Sequence, residues 1–554
     1  MSAHVKIDGL TITYRDDAGQ ETAAVRDATI ELPRGETLGI VGESGSGKST
    51  LARSLLAHAR AGARFAAGSV HLGGTDVLAL AGRELRRYRG GRAAMVPQNP
   101  LSSLTPHMTI GAQLEELVRL HTQLSGKAVH AHALSLMERT GLPDPELLAK
   151  RYPHEISGGQ RQRAVIAAAL IGKPELIVLD EPTTALDKTV EARVLQLVAD
   201  VQRDLGATLV YVSHDLNVIR ALCSRIAVMK DGSIIEQGEA AGIFNAPGNA
   251  YTRSLIQAIP RIDVDGPPPP PAQSPTRLEV RNLRFSYHRP SGFPFRKPRA
   301  MRPTLDDISL SLRKGETLGL VGESGSGKST VASLIAGAVS GHEGRIMLGG
   351  ETVSGAARTR SRDMRRRIQM VFQDPLSALN PAHTVEEILV RPLRLHFGLS
   401  PAAAREKAAA ALHEMELGPD FLSRRPRQLS GGQQQRVGFA RALAAEPDLL
   451  ICDEVTSALD VTIQANMLSL FLKIQRERAM TCIFISHDLA VIARVSHRIA
   501  VLEKGQLREI GDRDSVLHSP ANAYTRRLLA AADTHLRTGE DRTDAPPIPQ
   551  SLSA

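Results

Sequence analysis

The sequence predicts an α/β protein made of two tandem copies of one domain, each with a mixed, largely parallel sheet and an inserted helical subdomain. Three observations predict it. The chain repeats itself over long stretches in the same order. Within each copy, short β-rich apolar runs alternate with helical stretches, the pattern of a sheet flanked by helices. One segment per copy, at about 100–155 and 376–428, is instead rich in Leu, Ala and charge at helical spacing, as in IGAQLEELVRLHTQL. The expected layout is a first domain over 1–262, a linker over 263–276, a second domain over 277–532 and a flexible tail over 533–554.

The repeats justify the duplication element by element. TLGIVGESGSGKST (37–50) recurs as TLGLVGESGSGKST (317–330), and EISGGQRQRAVIAAAL (155–170) as QLSGGQQQRVGFARAL (428–443). LIVLDEPTTALD (176–187) recurs as LLICDEVTSALD (449–460), and VYVSHDLNVI (210–219) as IFISHDLAVI (483–492). TLGIV and LIVLD are continuous apolar runs, as expected of strands buried on both faces. Tyr14 and Tyr287 are 273 residues apart, Lys48 and Lys328 are 280 apart, and His214 and His487 are again 273 apart. The second copy therefore carries extra residues between its Tyr and its Gly-rich loop. The basic HRPSGFPFRKPRAMRP (288–303) lies there, and its prolines predict a surface loop. Between the copies, DVDGPPPPPAQSP (263–275) reads as a stiff polyproline-type linker.

At 554 residues, with 42% hydrophobic and 23% charged residues, the chain is too long for one core and has an ordinary globular composition. No run approaches the ~20 apolar residues that span a bilayer, and the start MSAHVKIDGLTITY has no secretory pattern. Cys223, Cys452 and Cys482 fit no metal spacing and suggest buried thiols in a reducing compartment. The formal charge of +9 is compatible with nucleic acid, nucleotide phosphates or anionic lipid as partner, and equally with a mildly basic protein without such a partner.

GESGSGKST fits G-x-x-x-x-G-K-[ST], in which glycines let backbone N–H groups curl around phosphate oxygens at a helix N-terminus. In the first copy the candidates are Gly42, Ser44, Gly45, Ser46, Gly47, Lys48, Ser49 and Thr50. In the second they are Gly322, Ser324, Gly325, Ser326, Gly327, Lys328, Ser329 and Thr330. Lys48 and Lys328 would reach the β- and γ-phosphates, and Ser49 and Ser329 would ligate Mg2+. Asp180-Glu181 and Asp453-Glu454 close apolar runs, so that Asp can hold the metal while Glu takes a proton from, or orients, an attacking water. His214 and His487 follow strands in SHDL and suit γ-phosphate sensing. Gln98 and Gln373 could meet both metal and water, and Tyr14 and Tyr287 could stack on adenine or pack as ordinary strand residues. Ser157-Gly158-Gly159-Gln160 and Ser430-Gly431-Gly432-Gln433 each open a helix and offer a second anion site, whose simplest use is the γ-phosphate held by the other copy.

Gly-rich loop, Gln, SGGQ, Asp-Glu, Ala-Leu-Asp and His, in one order and twice, resemble the ABC ATPase family over nearly the whole chain. The resemblance implies two ATP molecules sandwiched between the copies. One site would join Lys48, Gln98, Asp180, Glu181 and His214 to Ser430–Gln433, and the other Lys328, Gln373, Asp453, Glu454 and His487 to Ser157–Gln160. Asp187 and Asp460 would communicate across the interface. Ile156 stands where Leu is usual and Val455 where Pro is usual, and neither removes a reacting group, so two competent sites are expected.

YPHEISGGQ, the segments after the Gln loops and the tails ending NAYTRSLIQAIP and NAYTRRLLAAA look like the ATPases of dipeptide, oligopeptide and nickel importers. That resemblance implies an ATP- and Mg2+-dependent subunit at the cytoplasmic face of the plasma (inner) membrane. Its partners would be two transmembrane permease subunits and an extracytoplasmic solute-binding protein, with no nucleic acid. No cysteine follows the first copy where some relatives bear an iron–sulfur cluster, so none is predicted. The alternative is a twin-cassette ATPase acting on ribosomes, but such proteins carry a long charged helical linker where this chain has a short Pro-rich one. A DNA-repair ATPase would carry zinc-type Cys pairs.

Overall fold

The computed structural model describes residues 3–15, 21–183, 188–271, 273–287, 303–457 and 459–533. Residues 288–302 of the basic segment, the tail from 534 onward and Asp187 therefore lie outside the described residues. The chain divides into two compact units, one comprising Met1–Ile259 with Asp460–Thr462 and the other Pro260–Leu459 with Ile463–Ala532.

In the first unit the strands are β1 (Val5–Arg15), β2 (Glu21–Leu32), β3 (Thr37–Val41), β4 (Ala63–Leu72), β5 (Thr75–Asp76), β6 (Ala93–Val96), β7 (Leu176–Asp180), β8 (Thr208–Val212), β9 (Arg225–Lys230) and β10 (Ser233–Glu239). Among the described residues they form an antiparallel sheet, β2-β1-β4-β5, and a second sheet, β10-β9-β3-β8-β7-β6. The second is parallel from β9 to β6, with β10 antiparallel at its edge. The continuous apolar runs seen in the sequence become its central strands, and all of β7 and β8 is buried. By contrast β1 alternates buried and less buried residues, as a strand with one face on a core should.

Two cores clamp the parallel sheet. One holds Ile7, Leu10, Ile40, Leu51, Ala52 and Val178, so the helix Lys48–Ser54 is buried between the two sheets. The other holds Leu114, Val118, Met137, Ile166, Leu179 and Tyr211, which joins the sheet's opposite face to the helical segment. That segment contains the helices Ile110–His121, Lys127–Arg139 and Pro145–Ala149. Thr109 starts the first of these by accepting a hydrogen bond from Ala112 N at 3.3 Å.

The second unit repeats the plan with β11 (Thr276–Phe285), β12 (Leu305–Arg313), β13 (Thr317–Val321), β14 (Glu343–Leu348), β15 (Glu351–Thr352), β16 (Ile368–Val371), β17 (Leu449–Asp453), β18 (Thr481–Ile485), β19 (Arg498–Glu503) and β20 (Gln506–Asp512). Its sheets are β12-β11-β14-β15 and β16-β17-β18-β13-β19-β20, the same orders strand for strand. Its helical segment carries Val385–Phe397 and Pro401–Glu414, the first opened by a capping box between Thr384 and Glu387. The Pro-rich stretch contains neither helix nor strand in its described residues and is fastened to the second unit. Arg513 donates to Val264 O at 2.7 Å, and His497 Nε2 lies 3.1 Å from Pro268 O. No helix among the described residues is long and apolar enough to cross a membrane.

Candidate active site

In each unit the predicted reacting residues leave the C-terminal ends of parallel strands, the edge at which open α/β sheets bind ligands. The Gly-rich loop follows β3, Gln98 follows β6, Asp180 and Glu181 end β7, and His214 follows β8. In the second unit β13, β16, β17 and β18 deliver their counterparts.

The loop's shape is set by its glycines. Gly42 has φ 147°, and a Cβ there would meet Met229 O at 2.2 Å; at Gly322, with φ 152°, it would meet Leu502 O at 2.1 Å. Any other residue would push the loop off the sheet. Lys48 is 5% exposed and donates to Gly42 O and Glu43 O, both at 2.7 Å. Lys328, equally buried, donates to Gly322 O at 2.8 Å and Glu323 O at 2.9 Å. Burial pulls the Lys48 pKa down, against the opposing charges of Glu181, Asp180 and Glu43. Ser46 and Ser326 bury their Oγ atoms in the loops without a hydrogen-bond partner among the described residues. Ser44, Gly45, Gly47 and Thr50 complete the first loop and helix start, as Ser324, Gly325, Gly327 and Thr330 do in the second.

Ser49 Oγ donates to Asp180 Oδ1 at 2.7 Å, and Ser329 Oγ to Asp453 Oδ1 at 3.0 Å. A hydroxyl and a carboxylate converging beside the phosphate loop are the hard oxygen donors that Mg2+ takes. Glu181 and Glu454 have φ 49° and 48°, a left-handed conformation that ordinary residues adopt rarely. Each is held there by its N–H bonding across to the neighbouring strand, Glu181 to Val212 O and Glu454 to Ile485 O, both at 3.0 Å. Thus turned, Glu181 receives Gln98 Nε2 at 2.7 Å and stands 3.2 Å from His214 Nδ1. Glu454 receives Gln373 Nε2 at 2.8 Å and stands 3.7 Å from His487 Nδ1. Burial works to lower the His214 pKa, but the hydrogen bond and charge of Glu181 outweigh it and the net direction is up. His487 holds the Glu454 carboxyl below its ordinary value. Asp453 moves up, chiefly because it is buried, with Ser329 and Lys328 opposing.

The SGGQ segments form helix starts. Ser157 Oγ accepts from Gln160 N at 3.3 Å and Gln160 Oε1 from Ser157 N at 2.9 Å, with the same box at Ser430 and Gln433. A Cβ at Gly158 or Gly431 would meet open space, whereas Gly159 and Gly432 sit against Val190 and Ile463. Among the described residues no hydrogen bond or ion pair ties either SGGQ to the phosphate loop of its own unit. Tyr14 is half-buried, its hydroxyl 3.5 Å from Thr50 Oγ1. Tyr287 is 54% exposed and packs edge-on to Phe285 at 4.8 Å. Asp460 directly precedes the helix Val461–Glu477.

Two features escaped sequence reasoning. Arg53 Nη2 pairs with Asp180 Oδ2 at 3.1 Å, whereas position 333, its counterpart, is Ser. Tyr251 and Tyr524 accept hydrogen bonds from Glu43 N and Glu323 N at 3.2 and 3.1 Å. Their signal was present in the repeated NAYT of the two tails, which the spacing of reacting groups did not reach.

Fold and cluster together define a tandem phosphate-loop ATPase. The ABC transporter family model matches residues 25–184 and again 305–457, and the model for the oligopeptide/dipeptide transporter C-terminal region matches 235–282. The glutathione import ATP-binding protein GsiA of Salmonella choleraesuis is 38% identical over 95% of this chain and 89% of its own length. The protein of the same name from Pectobacterium atrosepticum is 38% identical over 99% and 93%, respectively. A dimeric ATP-binding cassette solved with ADP and Pi aligns with 43% of this chain and 98% of its own, at 30% identity and a TM-score of 0.39. The chain belongs to the ABC transporter family and is its ATPase component, with two ATP-binding cassettes in one polypeptide.

Proposed function

We propose that this ATPase energises uptake of glutathione or a similar small peptide through a membrane importer. The observation that carries the reading is the 38% identity over 95% of the chain to a glutathione import ATP-binding protein, and the oligopeptide/dipeptide C-terminal region at 235–282 supports it. The partners are two transmembrane permease subunits and an extracytoplasmic solute-binding protein, with the chain peripheral on the cytoplasmic face of the membrane.

ATP binds with its phosphates in the Gly-rich loops and Lys48 or Lys328 beside the β- and γ-phosphates. Ser49 with Asp180, and Ser329 with Asp453, are the residues that would hold Mg2+, aided by Gln98 and Gln373. When bound, Mg2+ neutralises charge building on the phosphates. Glu181 or Glu454 orients the attacking water and accepts its proton as the bond between the β-oxygen and the γ-phosphorus breaks. His214 or His487, beside that carboxylate, fixes its orientation and senses the γ-phosphate. The SGGQ of the opposite unit completes each site, so ATP closes the pair and hydrolysis reopens it. Tyr14 and Tyr287 face adenine, and Asp187 and Asp460 couple the two sites.

The test is a pull-down of the tagged chain from gently solubilised membranes, followed by uptake of labelled glutathione and dipeptides with the captured subunits in vesicles. Two multi-spanning subunits and glutathione or peptide uptake are expected. Ribosomal proteins without membrane subunits would overturn the transport reading and favour the ribosomal alternative. Uptake of neither solute by an otherwise complete transporter would overturn the cargo.

A further inference from the structure

The C-terminal segment of each unit reaches back into the phosphate loop by one phenol. In the first unit Glu236, on β10, accepts from Gly248 N at 2.7 Å and Asn249 N at 3.2 Å. Asn249 caps the helix Ala250–Gln257 by accepting from Tyr251 N at 2.8 Å, which aims the Tyr251 ring. Its hydroxyl oxygen accepts from Glu43 N at 3.2 Å, and Lys230 lies over the ring at 4.8 Å. The second unit repeats each hydrogen bond, with Glu503 standing at the position of Lys230. Glu509, on β20, accepts from Ala521 N at 2.8 Å and Asn522 N at 3.2 Å, and Asn522 accepts from Tyr524 N at 2.8 Å. Tyr524 then accepts from Glu323 N at 3.1 Å.

Both partners of that one peptide position are therefore fixed. The N–H of Glu43 goes to Tyr251, and its C=O goes to Lys48 Nζ. The N–H of Glu323 goes to Tyr524, and its C=O goes to Lys328 Nζ. The phenol thus stands one residue away from the lysine that meets the phosphates. The residues donating to the two carboxylates differ, Gly248 against Ala521, yet the networks coincide within 0.1 Å at their matching bonds. We propose that Tyr251 and Tyr524 are positioning residues that hold the phosphate loops in their nucleotide-receiving form, making each C-terminal segment part of its own unit's ATP site.

The inference rests on ATP binding at the two loops and is tested in the full chain with a fluorescent ATP analogue and Mg2+. Lys328→Ala leaves the first site to be measured, and Lys48→Ala the second. In the Lys328→Ala chain, Tyr251→Phe should raise the Kd about five- to tenfold, the effect of losing one modest hydrogen bond, while Tyr524→Phe should change it less than about twofold. In the Lys48→Ala chain the two variants should exchange roles. A Kd within about twofold for each tyrosine variant at its own site would overturn the proposal. So would equal weakening in both backgrounds, which is the mark of a general loss of packing. Wild-type binding by the Lys48→Ala/Lys328→Ala chain would instead overturn the assignment of the loops as the nucleotide sites.

Discussion

Replacing Arg53 by Ser gives the first phosphate-loop helix the residue that the second already has at position 333. Arg53 and Asp180 form a mostly buried pair, 17% and 2% exposed, at 3.1 Å. Removing one member of a buried ion pair commonly costs roughly 3–5 kcal/mol, because the remaining charge is left unpaired. Here Asp180 keeps the Ser49 hydroxyl at 2.7 Å, and Asp453 in the second unit is housed at 8% exposure with Ser329 at 3.0 Å and no guanidinium at 333. The expected cost is therefore about 1–3 kcal/mol, the lower end of that range and below. For a unit of this size it corresponds to a fall of roughly 3–10 °C in the melting temperature of the first unit. The assay is calorimetry of wild type and Arg53→Ser in EDTA and again with Mg2+ and a non-hydrolysable ATP analogue. If Mg2+ takes the guanidinium's place beside Asp180, the gap between the two proteins narrows in the second condition. Equal melting temperatures in EDTA would refute the stabilising pair, and a gap unchanged by Mg2+ would refute the exchange of cations.

Glu181→Gln and Glu454→Gln combined should lower steady-state ATP hydrolysis about 10²-fold or more while binding of the fluorescent analogue persists, and full turnover in either single variant would show that its site does not contribute. Gly42→Ala should abolish nucleotide binding at the first site, since the added Cβ falls 2.2 Å from Met229 O at φ 147°; an unchanged Kd by fluorescence titration would contradict this loop geometry. The raised pKa of His214 makes its pairing with Glu181 a source of stability that is fully present below the ordinary value of 6.5 and lost as pH rises through the folded value. The melting-temperature difference between wild type and His214→Gln should accordingly shrink from about pH 6 to about pH 9, and a difference constant over that range would remove the charge from the account.

Much of this was legible in the sequence, because the reacting groups sit where strands end and strands are marked by continuous apolar runs. TLGIV and LIVLD place Lys48 and Asp180 at strand ends, and His214 follows from the same rule, whereas Gln98 is marked only by its order between the Gly-rich loop and SGGQ. What stayed hidden depends on the third dimension. The left-handed turn at Glu181 is held by a hydrogen bond to Val212, 31 residues away in sequence, and no local preference of Glu announces it. The bond from Glu43 to Tyr251 spans 208 residues, and Arg53 meets Asp180 across 127. Pattern reading recovers residues whose chemistry is confined to a motif, but not those that support a motif from elsewhere in the fold.

The supporting residues are also where the two units part company. Lysine, serine, both carboxylates, glutamine and histidine are present twice, and so is the tyrosine brace. Asp180 is balanced by a guanidinium, whereas among the described residues Asp453 has none, and burial raises the Asp453 pKa. On the proposed metal roles, a cation arriving at the first site must compete with Arg53, and one arriving at the second meets no guanidinium at position 333. Two sites with identical reacting groups therefore need not load Mg2+ and ATP at the same concentration. Ser333→Arg tests this from the other side. It should raise the melting temperature of the second unit in EDTA and raise the Mg2+ concentration needed for half-maximal nucleotide binding there, measured in the Lys48→Ala chain. An Arg at 333 that stabilised the unit without moving the Mg2+ requirement would mean that the guanidinium and the metal do not share Asp453, and that the asymmetry is confined to stability.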